Sequence, residues 1–579
     1  MWKQKEIKTK SLCDQVKEVF ERNIGATTDE INGWFKRFYA NEWRLDDIVK
    51  AVDIVLGFKD KPVTIVGDYD ADGVTSTTIL YLALKAAGFS DVRKRIPLRF
   101  SEGFGINPKI IDEIKEGLVL TCDNGVAQVD AINKAKAKGL TVVIIDHHEP
   151  ARDTDGNITL PDADCIIDPN AIEGQADFNG YCGAGLSLKF ARALGEKLGK
   201  PNLYQAFLGL AAIGTVADVM ELRMENYVIV RQGLKKLVDS RFCTTGLSAL
   251  VSACAGNVVT AKDIGFKIGP VINAASRMRD DGAMLAADLL AFNGDINTAI
   301  RKTEQLCGLN DVRKGKKREA LAAAEKQIAD ECMFGDVPLV LYLPGVPEGV
   351  IGIVAGNLCE KYAVPAIVLT DSDEEGVLRG SARSCGNCDI KAELDKVNAE
   401  NSDVFASKYG GHKGAAGLSI KKDQLETFRA IISNNLSSTF VNDEAGNDEY
   451  DIEISASELA EAITELAKYE PFGEGNAAPV FKVSGFTVVP SYGKFVSFLG
   501  DGTIAKICGQ NETEAIGFDM KGRFEKDPKN LDLLGSLSVN RFGGKSRIQV
   551  EFTDFADKGV EEKETPLALK LRSMALAKA

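Results

Sequence analysis

Short apolar runs rich in β-branched residues, each closed by aspartate, alternate with stretches of helical period through the first third of the chain. "PVTIVG" at 62–67 predicts a strand, followed by an acidic turn and a helix from about Val74 to Ala87 that Gly88 closes. "GLVLTC" predicts a second strand ending at Asp123, with a helix through "AQVDAINKAKAKG" behind it, and "TVVIID" a third ending at Asp146. Strands alternating with helices imply βαβ units and a parallel sheet, and such sheets bind ligands beyond the carboxyl ends of their strands.

The same pattern divides the rest of the chain. Residues 1–58 read as a helical cap ("LCDQVKEVFERN", "LDDIVKAVDIVLG") on a sheet domain at 59–235. Residues 236–335 are helical and carry the charged "NDVRKGKKREALAAAEKQIADE", which predicts a long connector helix. A second α/β unit at 336–440 sets "PLVLYL" and "PAIVLT" around the helix "GVIGIVAGNLCEKY" and ends in "YGGHKGAAGLSI". An acidic, Asn-rich linker (441–451) leads to short strands with turns that predict a small β-barrel over 450–557, before a tail at 558–579.

The acidic turn carries the chemistry. Asp68, Asp70 and Asp72 fall within five residues, and like charges so close call for a cation. Asp123, Asp146, His147 and His148 close the neighbouring strands, so carboxylates and imidazoles converge on one sheet edge. Asp218, ending "GTVADV", reads equally well as a ligand or as a solvated helix end. The chain has three histidines, and the third, His412, lies in "GGHKGAAG". Mixed carboxylate and imidazole donors suit Mn²⁺, with Mg²⁺ as the alternative. More acidic groups converge than one ion needs, which points to two ions and phosphoester hydrolysis. Twelve cysteines are scattered, and the lone CxxC at Cys385/Cys388 lacks the second ligand pair of a zinc site. "FGEGNAA" follows no strand that could open a dinucleotide-binding unit, and "GGKS" has Val539 where a phosphate-binding loop needs its first glycine.

Composition narrows the partners. A net charge of −14 argues against binding nucleic acid by bulk charge, although a local groove of Arg and Lys could still do so. No apolar run approaches the ~20 residues of a membrane helix. The amphipathic, charged start lacks a signal-peptide core, so the cytoplasm is the expected location.

"GDYDADGVTS", "TCDNG", "IDHHEP" and "GTVADVMEL" resemble, in order, the four motifs of the DHH phosphoesterase superfamily, and "YGGHKGAAGLSI" resembles the GGH motif of its accessory domain. Further stretches ("IPLRFSEGFGIN", "CGAGLSLKFARAL", "IGPVINAASRM", "RGSARS", "YEPFGEGNAAPVF") narrow the resemblance to the RecJ family of single-stranded-DNA exonucleases, which degrade from the 5′ end. The resemblance implies a parallel-sheet DHH domain, a connector helix, an α/β accessory domain and a C-terminal OB-fold barrel. It implies Asp70, Asp72, Asp123, His147 and Asp218 as ligands of two Mn²⁺ ions, with Asp123 between them and Asp68 and Asp146 as additional or supporting ligands. It implies that His148 contacts the scissile phosphate, that His412 faces the metals across the cleft, and that Arg99, Arg277, Ser381 and Arg383 hold the 5′ phosphate. Phe481, Tyr492, Lys494, Phe495 and Arg541 are the barrel's candidates for strand contact. Single-stranded DNA is the expected partner of a monomeric enzyme of repair and recombination, with a single-strand-binding protein or helicase beside it and no membrane. Pro347 replaces a family histidine and Ser276 a family glycine, which leaves substrate handling near the accessory domain open. Alternatives are a DHH phosphodiesterase for oligoribonucleotides or cyclic dinucleotides, a pyrophosphatase, and a non-catalytic replication scaffold.

Overall fold

The computed structural model describes residues 2–558 except 154, 408, 443–448, 500–501, 519, 521, 525 and 543–544. The centre of the acidic linker and the tail after 558 therefore lie outside the described residues. Two compact units emerge, residues 33–447 and the pair 1–32 with 448–579.

In the larger unit the apolar runs form β1 (Val63–Val66), β2 (Val92–Arg95), β3 (Leu118–Cys122), β4 (Thr141–Ile145) and a short fifth strand, β5 (Cys165–Ile167). They build an all-parallel sheet in the order β2-β1-β3-β4-β5. Successive side chains alternate between two cores: Ile65, Leu120 and Val143 enter one, and Val66, Val119 and Ile144 the other. Burial on both faces explains why these strands read as unbroken apolar runs rather than as alternating ones. Helix α1 (Ala71–Ala86) starts earlier than the periodicity predicts, because Asp70 caps it, accepting the Gly73 N–H at 3.0 Å. Helices α2 (Gly183–Lys197) and α3 (Leu208–Ala217) pack on α1. Helix α4 (Gly269–Met278) lies against the connector, α5 (Ile296–Asp330).

The accessory part contains β6 (Leu339–Tyr342), α6 (Glu348–Tyr362), β7 (Ala366–Asp371), β8 (Val377–Arg383), β9 (Gly410–His412) and β10 (Ala415–Lys421). Its sheet, ordered β9-β10-β8-β7-β6, is parallel only between β6 and β7.

The smaller unit holds β11 (Ile452–Ser455), β12 (Phe481–Thr487), β13 (Val496–Leu499), β14 (Ile504–Cys508), β15 (Thr513–Gly517), β16 (Asn530–Phe542) and β17 (Lys545–Asp557). Pairing runs β11-β12-β16-β17-β15-β14-β13. A bridge between Val488 and Gly509, with the Val489 N–H donating to the Cys508 carbonyl at 2.8 Å, joins the end of β12 to β14 and closes the barrel. The residues predicted as one N-terminal cap divide: Val16 and Val19 of the helix Leu12–Ile24 are buried in the barrel's core, whereas Phe38, Trp43 and Val52 belong to the sheet domain. Among the described residues no helix is long and apolar enough to cross a membrane.

Candidate active site

The acidic groups converge because every parallel strand ends at the same sheet edge. Asp68 is buried and its carboxylate accepts the Gly105 N–H at 3.3 Å. Asp72, in the first turn of α1, accepts N–H bonds from Gly183 (2.7 Å) and Ala184 (2.9 Å), so the positive end of α2 faces it. Gly183 is required there, since a β-carbon would stand 2.7 Å from the Asp123 Cβ. Asp123 takes a positive-φ backbone (φ 61°), a region that aspartate and asparagine enter more readily than other non-glycine residues. His147 Nε2 lies 3.0 Å from Asp123, 3.7 Å from Asp218 and 3.8 Å from Asp72. Three sets of side chains bring ligand atoms within 4.8 Å of one another: Asp68–Asp70–Asp123, Asp72–His147–Asp218 and Asp123–His147–His148. Asp123 and His147 are each shared by two of them.

The electrostatics fit a cationic occupant. Burial, then the Asp70 charge, pushes the Asp68 carboxyl up to about 8. Burial with Asp72 and Asp70 likewise raises Asp218 to about 8, and Asp123 stands well above the carboxylate range for the same reasons. Burial and the neighbouring His148 hold His147 below its usual value, leaving a neutral imidazole able to ligate. Without metal the folded protein keeps protons that the unfolded chain has already released at neutral pH, so these groups favour folding at low pH and lose that contribution as pH rises through about 8. In EDTA the melting temperature should fall between about pH 5 and pH 8, and Mn²⁺ should abolish the fall by taking the protons' place. A metal-free melting temperature that rises over this range would contradict the crowding.

Asp146 is positioned differently from the others. Its oxygens accept His148 Nδ1 (2.8 Å), the His147 N–H (2.8 Å) and the Val126 N–H (3.0 Å), and it belongs to none of the three sets. Although burial opposes the charge on His148, the bond and charge of Asp146 push it up to about 9. Asp146 therefore orients a protonated imidazole. Three supporting residues escape the sequence pattern. Asp168, at the end of β5, accepts N–H bonds from Asn170 and Ala171, and Asn170 Nδ2 donates to the His147 carbonyl at 2.6 Å. Asn273 accepts the Ala71 N–H at 2.8 Å and so fixes the acidic turn. The only signal for Asp168 is the short apolar "CII" before it, three residues long.

Beside the carboxylates lies a group of guanidiniums. Arg99 stacks on Tyr69, 4.4 Å from the ring centre, and Tyr69 stands between Asp68 and Asp70 in sequence. Arg277, on α4, donates to the Gly349 carbonyl at 3.2 Å. Arg383 and Ser381 share one face of β8, with Arg383 Nη1 donating to Ser381 Oγ at 3.0 Å. Helix α6 presses on this pair through Gly352, whose β-carbon would come within 3.0 Å of both. Arg277 is pushed down to about 9 by burial and then by Arg99, Arg313 and Arg383, with Asp70 opposing. The predicted arginines thus share one field with the acidic turn, together with Arg313, which no motif marks in the sequence.

Comparison with known proteins agrees with this geometry. The DHH family N-terminal domain matches residues 62–215, the DHHA1 domain 338–438 and the RecJ OB domain 450–554. The single-stranded-DNA-specific exonuclease RecJ of Haemophilus influenzae is 31% identical over 515 residues, covering 84% of this chain and 86% of that protein. The chain belongs to the RecJ family. The crystal structure of Thermus thermophilus RecJ with Mn²⁺ superposes with a TM-score of 0.70 at 28% identity, over 90% of this chain and 72% of that one. The Mg²⁺ form of the same RecJ gives 0.65 at 26% identity, over 89% and 70%.

The two departures from the RecJ pattern are absorbed locally. Ser276 is buried with its hydroxyl donating to the Asn273 carbonyl at 3.3 Å, and Pro347 precedes α6, accepting the Val350 N–H at 2.9 Å. His412 lies on the exposed edge strand β9, outside the metal-capable sets, and its partner Ala415 pairs in turn with Arg383. In the barrel, Phe481 points into the core and is fully buried, so it cannot stack on a base. Tyr492, Lys494 and Arg541 are exposed, and Phe495 packs against the core. An aromatic row runs from the core to the surface: half-buried Phe555 stacks on half-buried Phe524 at 4.2 Å, and exposed Phe498 meets Phe524 edge-on at 6.4 Å, with Arg523 over Phe555.

Proposed function

We propose that this protein is a metal-dependent exonuclease that degrades single-stranded DNA from the 5′ end to 5′-mononucleotides. The observation that carries the reading is the joining of two sites: metal-capable carboxylates around Asp123 and His147, and guanidiniums whose field reaches Asp70. Asp68, Asp70, Asp72, Asp123, His147 and Asp218 would hold two divalent ions, Mn²⁺ or Mg²⁺. Bound there, such ions polarise the phosphoryl oxygens and lower the pKa of water. Asp123, grouped with Asp68 and Asp70 and 3.0 Å from His147 Nε2, would be the group to meet both ions. His148, kept protonated by Asp146, donates to a phosphate oxygen as negative charge grows on it. Arg99, Arg277, Ser381 and Arg383 grip the terminal phosphate, which fixes the direction of attack and holds the scissile bond in place. His412 faces the strand from the accessory sheet. We place the enzyme in the cytoplasm as a monomer, in DNA repair and recombination, on strands that a helicase exposes and single-strand-binding protein coats.

Single strands labelled at either end, digested with and without Mn²⁺, test this reading. Loss of the 5′ label as mononucleotide before the 3′ label is the expected result, and degradation from the 3′ end contradicts it. An RNA preference would favour the oligoribonucleotide phosphodiesterase alternative.

The barrel should extend the engaged strand without touching the chemistry. Because Val16 and Val19 are buried in the barrel, its removal must take the first helix with it. A protein trimmed to residues 33–447 should still cleave short oligonucleotides in Mn²⁺. Its affinity for long strands should fall by roughly tenfold or more, since each stacked base contributes about 1–3 kcal/mol. Unchanged long-strand affinity would make the barrel a structural prop.

A further inference from the structure

Arg99 and Arg277 come from segments far apart in the chain, and one carboxylate ties those segments together. Arg99 lies in a tight turn after β2, where the Leu98 carbonyl accepts the N–H groups of Glu102 (2.9 Å) and Gly103 (3.1 Å). The Glu102 carboxylate closes the turn by accepting the Leu98 N–H at 2.7 Å. Phe100 and Ser101 form its exposed tip. Asp280, just past the end of α4, holds that tip: one carboxylate oxygen accepts the Phe100 N–H at 2.7 Å and the other the Ser101 hydroxyl at 2.6 Å. Arg277 stands three residues before it on the same segment.

Both ends of this contact are themselves constrained. Beyond α4, the Arg279 N–H donates to the Ala275 carbonyl at 3.0 Å, and the chain folds back so closely that a β-carbon on Gly282 would stand 2.0 Å from the same oxygen. The turn, for its part, continues to the metal-capable carboxylates. The Gly105 N–H donates to Asp68 at 3.3 Å, and the Phe104 ring meets His148 (5.4 Å) and Tyr69 (6.3 Å) edge-on. Residues 99–105 therefore run from the guanidinium stacked on Tyr69 to the acidic turn. Water competes for hydrogen bonds at an exposed tip, so they contribute little to stability. Charge-assisted bonds to both carboxylate oxygens still fix where the tip lies, and with it the backbone of Arg99.

We propose that Asp280 is a positioning residue for the 5′-phosphate pocket: it holds Arg99 at its place beside Arg277 and, through residues 99–105, sets the distance from the gripped phosphate to the metal site. The inference rests on the reading of that pocket given above. The distance between the phosphate that is held and the bond that is cut decides the length of the product. Asp280 therefore bears on which bond is cleaved as well as on the grip itself, although it touches neither the strand nor the ions.

The test measures kcat and KM of the full chain in Mn²⁺ on strands ending in 5′-phosphate or 5′-hydroxyl, and the length of the first labelled product from a 5′-labelled strand. Asp280→Ala should lower the ratio of kcat/KM for the phosphorylated over the hydroxyl strand by about tenfold or more, through KM. It should also release labelled dinucleotide beside the mononucleotide. Asp280→Asn should recover part of the ratio, because its amide oxygen still accepts the Phe100 N–H. Ser101→Ala removes one of the two bonds and should move both readouts the same way by less, with a melting temperature equal to the parent's. A parent-like ratio in Asp280→Ala, or equal losses on both strands, would overturn the inference while leaving the pocket itself intact. Mononucleotide as the sole labelled product would overturn the link to the cleavage distance. A parent protein indifferent to the 5′ phosphate would overturn the pocket and the inference together.

Discussion

Asp123→Ala should abolish strand hydrolysis, lowering kcat by at least ~10³-fold, beyond the ~10²–10³ that loss of a single oriented donor costs. Asp123 is the carboxylate common to two of the three ligand sets and stands 3.0 Å from His147 Nε2. Gly183 is packed against its Cβ, which a β-carbon at 183 would approach to 2.7 Å, so the backbone around Asp123 is held close. The fold should survive. Asp72, Asp70, Asp218 and Asp68 all repel the Asp123 charge, so its removal should raise the metal-free melting temperature near pH 8 rather than lower it. Alanine fits the positive-φ backbone at this position poorly, whereas asparagine tolerates it well, so Asp123→Asn isolates the charge from the strain. Single-turnover kinetics on a 5′-labelled strand, Mn²⁺ titration by calorimetry and thermal melts check the three parts. Retention of more than about a tenth of the parent rate, ~1.4 kcal/mol of barrier, would contradict the shared-ligand role.

Arg383→Ala should erase most of the preference for 5′-phosphorylated over 5′-hydroxyl strands, a loss of about 10- to 100-fold if a charge-assisted contact of about 1.5–3 kcal/mol is removed. The guanidinium donates to Ser381 Oγ and the Ala382 carbonyl, so its removal orphans no buried carboxylate and should leave folding and Mn²⁺ affinity unchanged. Arg383→Lys should recover less than half of the lost discrimination energy, because a lysine cannot match two phosphate oxygens at once. Competition between the two strand types in one reaction reads the ratio directly. Indifference of the parent protein to the 5′ phosphate would remove the pocket even if the metal site proved correct.

Much of this site is legible in the linear order of residues. An apolar β-branched run that ends in aspartate announces both a buried strand and a polar group at its carboxyl end, so pattern alone gathers Asp68, Asp123 and Asp146 on one edge. The roles of the gathered residues are not legible in the same way. Asp146 and Asp123 are the same residue type at equivalent strand ends, yet one orients His148 and the other lies between ligand sets. Phe481 fails as a strand contact for a related reason: strand alternation says that neighbours face opposite ways, not which way is inward.

The sequence by itself determined the parallel sheet, the acidic edge, the connector helix and the barrel, because each depends on local periodicity and on residues close in the chain. Tertiary structure alone decided what meets what. It assigned the helix Leu12–Ile24 to the barrel's core and brought Arg277 to the Gly349 carbonyl, contacts between residues far apart in sequence. It also turned Arg313 inward on α5, in the field of Arg277. Helical period marks a face, but the partner of that face is set by long-range packing, which no local pattern encodes.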